Sequence, residues 1–283
     1  MKKHIISIAF ALTLALMVSV IPVNASVNEH LTLGAASPTS VSLSDSQNRI
    51  ISQETLNEYL LSHPEQSANQ VLSTNVLLYN RAWFAAMRAV FSDYASHYTH
   101  NSALGDIGTY ITSQSNHASY RVGDASFADV GCEIAATYNA LRLIDRNISL
   151  PMIIRSFERD GYLMLQGDFG SDPYAIGDYF SANGVHFTEY AENSSYNSFD
   201  NHVASNSNSY HYYIMSFWTG DTLPCSLHTI AFYTSGGKLY TYNKSGGVAQ
   251  ANGTRQWSSL LSIIENSSRF IVGYEVRPRL NLY

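Results

Sequence analysis

The order of the apolar patterns predicts an α+β domain, in which helices come first and a mostly antiparallel sheet follows. Three patterns with helical spacing lie between residues 128 and 184. Short β-type segments then dominate from residue 185 to residue 276, and two of them flank a glycine pair. Runs of helices followed by runs of strands are typical of α+β domains, so we predict helices packed on an antiparallel sheet.

The composition agrees with a folded domain and excludes several functional classes. The 283 residues are 45% hydrophobic and 12% aromatic, and the aromatic content is too high for a fully disordered chain. The formal net charge is −6 and no basic block is present, which argues against a nucleic-acid partner. The two cysteines are too few for a disulfide scaffold.

Residues 1–25 have the pattern of a secretory signal peptide. A basic head with two lysines precedes an apolar run over residues 5–20, and small residues offer a cleavage site after Ala25. The alternative, an uncleaved membrane anchor, is disfavoured because the apolar run is short. We therefore predict an exported bacterial protein that is secreted or bound to the cell surface or cell wall, without stable membrane insertion after cleavage.

Three further segments follow the predicted signal peptide. Residues 26–48 show no sustained period and are predicted to form a flexible linker. Residues 49–114 are predicted to form a helical N-terminal region, either a pro-region or an accessory, with helices over residues 52–63 and 76–98. Residues 115–283 are predicted to form the main domain.

The elements of this main domain are predicted from periodicity, capping residues and turn residues. The predicted helices cover residues 133–145, 150–160, 173–183 and 257–266. The predicted strands cover residues 185–190, 210–218, 227–234, 238–243 and 270–276.

Cys132 follows Gly131 and opens the first predicted helix of this domain. A thiol at a helix N-terminus faces unpaired backbone N–H groups and the positive end of the helix dipole, and both favour the nucleophilic thiolate. A buried structural cysteine is the alternative, because cysteines without a special role are usually buried. Position alone leaves both interpretations open.

A predicted β-hairpin brings a histidine and an asparagine together. His228 lies at the start of one strand, and Asn243 ends the next strand after a Gly-Gly turn. A Ser235-Gly236 loop would place the two residues directly opposite, and a Gly236-Gly237 loop would place them diagonally on the same face. A three-residue loop would separate them. Two of the three registers therefore allow Asn243 to orient the imidazole beside a cysteine nucleophile.

The segment from Gly131 to Ala136 resembles the nucleophile helix of papain-fold cysteine peptidases, and is most similar to the bacteriocin-processing, double-glycine type. The positions of His228 and Asn243 resemble the His and Asn/Asp positions of that fold, and the similarity covers about residues 115–277. The resemblance implies a papain-like fold and a peptide or amide hydrolase with Cys132, His228 and Asn243 as catalytic residues. It implies a peptide or peptidoglycan substrate and neither a cofactor nor a metal.

The chain departs from this family in its oxyanion site. These enzymes usually carry a glutamine a few residues before the cysteine, whereas Gln114 lies far upstream of Cys132. The Cys132 backbone N–H is one expected donor, and Ser126 or another group is the second. The loss of one such donor typically slows catalysis by a factor of about a hundred or more.

Two alternative functions remain open at this point. A cell-wall amidase or endopeptidase shares the helix-borne cysteine and the strand-borne histidine. A disulfide between Cys132 and Cys225 would instead leave a non-catalytic papain-fold binding module with a tyrosine-lined groove. The alternating tyrosines of the strands are interpreted as half-buried sheet faces, and His97 and His100 as a solvated face.

Overall fold

Helices form the first part of the described chain and strands the second, in the order that the sequence patterns predict. The computed structural model describes residues 81–191, 195–219, 226–264 and 269–278. The predicted signal peptide, the linker and the helix over residues 52–63 lie outside the described residues. Within the described ranges, no helix is both long enough and apolar enough to cross a membrane.

Short and medium-length helices alternate with turns up to residue 206. The described helices are α1 (Arg81–Ala86), α2 (Tyr94–Leu104), α3 (Phe127–Val130), α4 (Cys132–Leu143), α5 (Leu150–Arg159), α6 (Ala175–Ala182), α7 (Ser195–Asn206) and α8 (Leu260–Ile263), with 3₁₀ turns at Gln114–His117 and Leu165–Gly167. The described strands are β1 (Arg88–Ala89), β2 (Arg121–Val122), β3 (Ala125–Ser126), β4 (Leu163–Met164), β5 (His186–Ala191), β6 (His211–Trp218), β7 (Leu227–Ser235), β8 (Lys238–Tyr242), β9 (Val248–Ala249), β10 (Arg255–Trp257) and β11 (Arg269–Arg277).

The main sheet has the strand order β5-β11-β6-β7-β8-β10-β9. Every neighbouring pair in it is antiparallel. Two small antiparallel pairs, β1 with β4 and β2 with β3, lie among the helices. The predicted α+β class is therefore confirmed, including the mostly antiparallel sheet.

Helix α4 packs against strands β7 and β6 on one face of the sheet. Its predicted apolar stripe, Ile134, Tyr138 and Leu141, is fully buried in the larger apolar core. Because side chains alternate along a strand, the other face of β6 and β7 belongs to a second core. That second core contains Phe199 and Val203 of helix α7. The sheet is thus covered by α4 on one side and by α7 on the other.

Within residues 81–98, the prediction of one continuous helix is wrong, although residues 81–86 and 94–98 are helical. Helix α1 ends at Ala86, strand β1 follows, and α2 begins only at Tyr94. Arg88 is extended because it pairs with Met164 of strand β4, and the Phe91 N–H donates to the Glu158 carbonyl oxygen. Trp83, Phe84, Met87 and Phe91 are nevertheless buried, whereas Val90 is 56% exposed, so periodicity identified most of the core-facing residues without identifying the break in the helix.

Further elements differ from the sequence prediction. Residues 257–266 were expected to be helical, but Trp257 pairs with Leu239 in the sheet, and α8 covers only Leu260–Ile263. Ser259 begins this short helix by accepting a hydrogen bond from the Ser262 N–H. Helix α7 has no counterpart in the sequence prediction, because its polar composition resembles a loop.

Candidate functional site

Gly131 sets the position at which Cys132 opens helix α4. It lies between α3 and α4, with its N–H bonded to the Phe127 carbonyl and its own carbonyl bonded to the Ala135 N–H. A Cβ atom at this position would lie 2.5 Å from Cδ2 and 2.6 Å from the carbonyl oxygen of Phe127, so a larger residue would push the two helices apart. The Gly-Cys pair therefore has a packing requirement independent of any chemistry.

The sulfur of Cys132 lies between helix α4 and the first residue of strand β7. Sγ is 3.9 Å from the Leu227 carbonyl oxygen and donates to Glu133 Oε1 at 3.3 Å. Leu227 directly precedes His228, so the start of the histidine-bearing strand lies against the cysteine. Cys132 is fully buried, and its predicted alternative partner, Cys225, lies outside the described residues.

His228 is held by a main-chain group rather than by an amide side chain. Its Nε2 lies 3.0 Å from the Asn243 carbonyl oxygen, and its ring meets Phe217 edge to face at 5.6 Å. Because a carbonyl oxygen only accepts, Nε2 is the donor, and Nδ1 is the basic nitrogen of the neutral ring. His228 is 5% exposed.

The hairpin adopts the second of the two favourable registers. Ser235 pairs with Lys238 and Ala231 pairs with Tyr242, so the loop is Gly236-Gly237. Both glycines have positive φ, 56° and 73°, as a type I′ turn requires. Asn243 follows the last paired residue with φ of 56°, and this left-handed turn directs its carbonyl oxygen to His228.

Gln114 is the site residue that the sequence analysis missed. Its backbone N–H donates to Asn243 Oδ1 at 2.8 Å, and Asn243 Nδ2 donates to Gln114 Oε1 at 2.7 Å. Gln114 Nε2 donates to the Ala128 carbonyl at 3.0 Å and to the Phe127 carbonyl at 3.4 Å. A chain of contacts thus runs from the segment before Cys132 through Gln114 and Asn243 to His228.

A sequence signal for Gln114 did exist. It is the only glutamine between residues 71 and 165, and it stands in a polar segment that follows the predicted helix over residues 76–98. In the structure its side chain is fully buried. The predicted boundary between residues 114 and 115 passes beside this residue, and the segment before the boundary is also bonded to α4. The Ile111 N–H and carbonyl exchange hydrogen bonds with the Asn139 side chain, both at 2.8 Å.

Glu133 is a buried carboxyl group next to the cysteine. Burial raises the pKa of Glu133 to about 7, although hydrogen bonds from Cys132, Thr229 and the Ser171 backbone act in the opposite direction. Thr229 Oγ1 donates to Glu133 Oε1 at 3.0 Å and lies 2.9 Å from Ser216 Oγ. A polar chain therefore connects the start of α4 to the centre of β6 and β7.

The other histidines singled out in the sequence lie elsewhere. His97 is buried against Glu158, at 2.8 Å, so its interpretation as a solvated residue is wrong. His100 Nε2 contacts the Ser119 carbonyl, and His211 contacts Glu275. Among the described residues, no group of three His, Cys, Asp or Glu side chains is placed to hold a metal ion.

Comparisons with protein-family models, curated proteins and solved structures found no match. The resemblance to papain-fold peptidases therefore stays a prediction that rests on the sequence motifs. The catalytic roles of Cys132, His228 and Asn243 likewise stay predictions.

Proposed function

We propose that this chain is an exported, papain-like cysteine hydrolase that cleaves a peptide or amide bond through Cys132, His228 and Asn243. The observation that carries the proposal is the meeting of the α4 N-terminus with the start of β7. Cys132 Sγ lies 3.9 Å from the Leu227 carbonyl oxygen, and the next residue is His228, whose Nε2 is fixed by Asn243.

The proposed reaction has two balanced steps. In the first, the Cys132 thiol gives its proton to Nδ1 of His228, the sulfur bonds to the substrate carbonyl carbon, and the amine leaves with that proton. In the second, water bonds to the acyl carbon, the carbon–sulfur bond breaks, and the proton returns through His228 to the thiolate. Asn243 holds the imidazole through its main-chain oxygen.

Two groups are suited to stabilise the oxyanion. The Cys132 N–H points out of the first turn of α4, where backbone donors and the helix dipole favour negative charge. The Gln114 carboxamide contacts helix α3, which precedes Cys132, and its longer bond, 3.4 Å to the Phe127 carbonyl, is the one that a substrate oxygen would replace. Gln114 is thus our candidate for the second donor, despite its distance in sequence.

Substitution of the nucleophile tests the proposal. We expect Cys132→Ala to abolish hydrolysis of peptide, peptidoglycan and amide substrates by the full chain, with an unchanged circular dichroism spectrum. Cys225→Ala is the matched control, because it removes the other thiol, and it should retain activity. An activity that survives in Cys132→Ala would show that the nucleophile is assigned wrongly. The substrate profile separates a general peptidase from a cell-wall amidase or endopeptidase.

The burial of Cys132 favours a second candidate, a non-catalytic binding module. A fully buried sulfur that donates to a carboxyl group is also what a structural cysteine would show. Iodoacetamide labelling of the Cys225→Ala variant at pH 6 distinguishes the two. A catalytic Cys132 should react faster than a model thiol, whereas a structural one should react only after unfolding. In the native chain, a peptide map that links Cys132 to Cys225 would favour the module.

A further inference from the structure

Three tyrosines stack near the turn of the β7–β8 hairpin. Tyr233 of β7 and Tyr240 of β8 are direct cross-strand partners, with ring centroids 4.9 Å apart and planes 12° apart. Tyr210, which directly precedes β6, lies 5.9 Å from Tyr233 with planes 21° apart. Tyr210 is 68% exposed, so this ring presents a large aromatic surface to solvent.

These rings form part of a cleft of about 320 Å³. Its lining residues are uncharged and combine aromatic, hydroxyl and amide groups: Tyr210, Tyr233, Ser235, Tyr240, Gln250, Ala251 and Asn252. The cleft is at the lower end of the range for small-molecule sites, in which apolar walls and a few placed polar groups are usual.

The amide groups of the cleft are held in place before any ligand binds. Asn252 Oδ1 accepts from the N–H and the hydroxyl of Thr254, at 3.1 and 2.7 Å. This fixes the orientation of the carboxamide, so that Nδ2 faces the Tyr233 hydroxyl at 3.5 Å. Gln250 Nε2 donates to the Val248 carbonyl at 3.1 Å. Such preorganisation reduces the entropy lost when a ligand is bound.

We propose that this cleft is a binding site for a neutral carbohydrate. A sugar ring offers an apolar C–H face for an aromatic ring and hydroxyl groups for amide and phenol groups, which donate and accept. The absence of basic residues among the described lining residues disfavours nucleic acid, whose binding depends on cations. Tyr233 and Tyr240 belong to β7 and β8, which are paired on both sides, so a peptide could not add a strand beside these two rings.

This site is independent of the proposed hydrolase function, because none of its residues belongs to the hydrogen-bonded side chains around Cys132 or to the proposed catalytic residues. Carbohydrate binding and hydrolysis can therefore fail separately. We expect Cys132→Ala to bind carbohydrate like the unmodified chain.

Isothermal titration calorimetry with defined oligomers tests the proposal. The neutral probes are the tetrasaccharides of cellulose, xylan and chitin, and the charged probes are tetragalacturonate and an eight-residue oligothymidylate. At least one neutral probe should bind the full chain. Tyr210→Ala should weaken that binding about tenfold, the loss expected for one aromatic stacking contact. Tyr210→Phe should retain most of it.

Two further variants test whether the binding depends on the residues of this cleft. Asn252→Asp keeps the oxygen that accepts from Thr254 but removes the amide donors, so we expect weaker binding with the fold unchanged. Tyr94→Ala, at a partly exposed tyrosine of helix α2, is the matched control and should bind normally. The proposal is overturned if no neutral probe binds, if only a charged probe binds, or if binding is equal in Tyr210→Ala, Asn252→Asp and Tyr94→Ala.

Discussion

Gln114 connects two segments that are distant in the chain. Its backbone and side chain both bond to the Asn243 carboxamide, and its Nε2 bonds to the Ala128 carbonyl. Gln114 and Asn243 are both buried. The side-chain amide of Asn243 thus bonds to Gln114, and the main-chain oxygen of Asn243 is the group that bonds to the imidazole of His228.

We expect Gln114→Ala to destabilise the protein by about 2 kcal/mol, because the Asn243 amide and the Ala128 carbonyl would each lose a partner inside the protein. Urea unfolding measures this change in free energy. Gln256→Ala, at a partly exposed glutamine of β10, is the control and should change the stability by less than about 0.5 kcal/mol. Equal effects of the two substitutions would contradict the role of Gln114.

The β7–β8 hairpin determines how Asn243 meets His228. Its two-residue turn requires positive φ at Gly236 and Gly237, and a Cβ atom at Gly236 would meet nothing within 4 Å. The cost of a side chain at position 236 is therefore conformational and not steric. Asparagine tolerates this backbone region better than alanine does.

We expect Gly236→Ala to lower the free energy of unfolding by about 1 kcal/mol, from the left-handed conformation alone. Gly236→Asn should cost clearly less, because Asn-Gly is a preferred pair in this turn type. Thermal unfolding followed by circular dichroism compares the two variants. The explanation fails if alanine and asparagine are equally destabilising.

The packing of helix α7 on the sheet requires a close contact with strand β11. The Phe199 ring packs directly over Gly273, where a Cβ atom would lie 2.7 Å from Phe199 Cζ. The same ring lies at the centre of the second core, 5.5 Å from Phe270 and 6.3 Å from Phe232. The glycine in the middle of a buried strand therefore makes room for an aromatic ring from the helix.

We expect Gly273→Ala to destabilise the protein by about 1–3 kcal/mol, the usual cost of overpacking a core. When Phe199 is already replaced by leucine, Gly273→Ala should destabilise the protein less than it does in the unmodified chain, because the smaller side chain relieves the contact. A double-variant cycle from urea unfolding gives the coupling energy. Strict additivity would show that the two positions do not compete for space.

The stability of the folded protein should depend on the proton of Glu133. Burial raises the pKa of this carboxyl group to about 7, so the native state binds the proton more tightly than the unfolded chain does. The stabilisation is complete below the pKa of the unfolded chain, near 4.5, and is lost as the pH rises to about 7.

We therefore compare the unfolding free energy of Glu133→Gln with that of the unmodified protein at two pH values. From pH 5 to pH 8, the difference should shift by about 2 kcal/mol in favour of the variant. Thr229→Val should instead lose unfolding free energy relative to the unmodified protein from pH 5 to pH 8. The loss of its hydroxyl raises the pKa of Glu133 further, so the ionised carboxyl group destabilises the native state more at pH 8. Urea unfolding at both pH values measures these differences. A Glu133→Gln difference that is independent of pH would refute the buried, titrating carboxyl group.

Local pattern was enough for the α+β class and for part of the candidate site. The helix that begins at Cys132, the Gly-Gly turn and the strand that carries His228 are encoded by nearby residues, through helix period, turn chemistry and strand alternation. These signals do not need a partner elsewhere in the chain. They failed at Arg88–Ala89 and at Trp257, where pairing with β4 and β8 replaced the expected helical conformation.

The sequence by itself determined the class of the fold, the start of α4 and the hairpin with its two favourable registers. Only the tertiary structure decided that Gln114 joins Asn243 across 129 residues, and that Glu133 is buried beside the cysteine. It also placed three tyrosines around one cleft. The physical reason is that periodicity reports which face of an element is buried, whereas hydrogen-bond partners and burial of charge depend on which elements pack together.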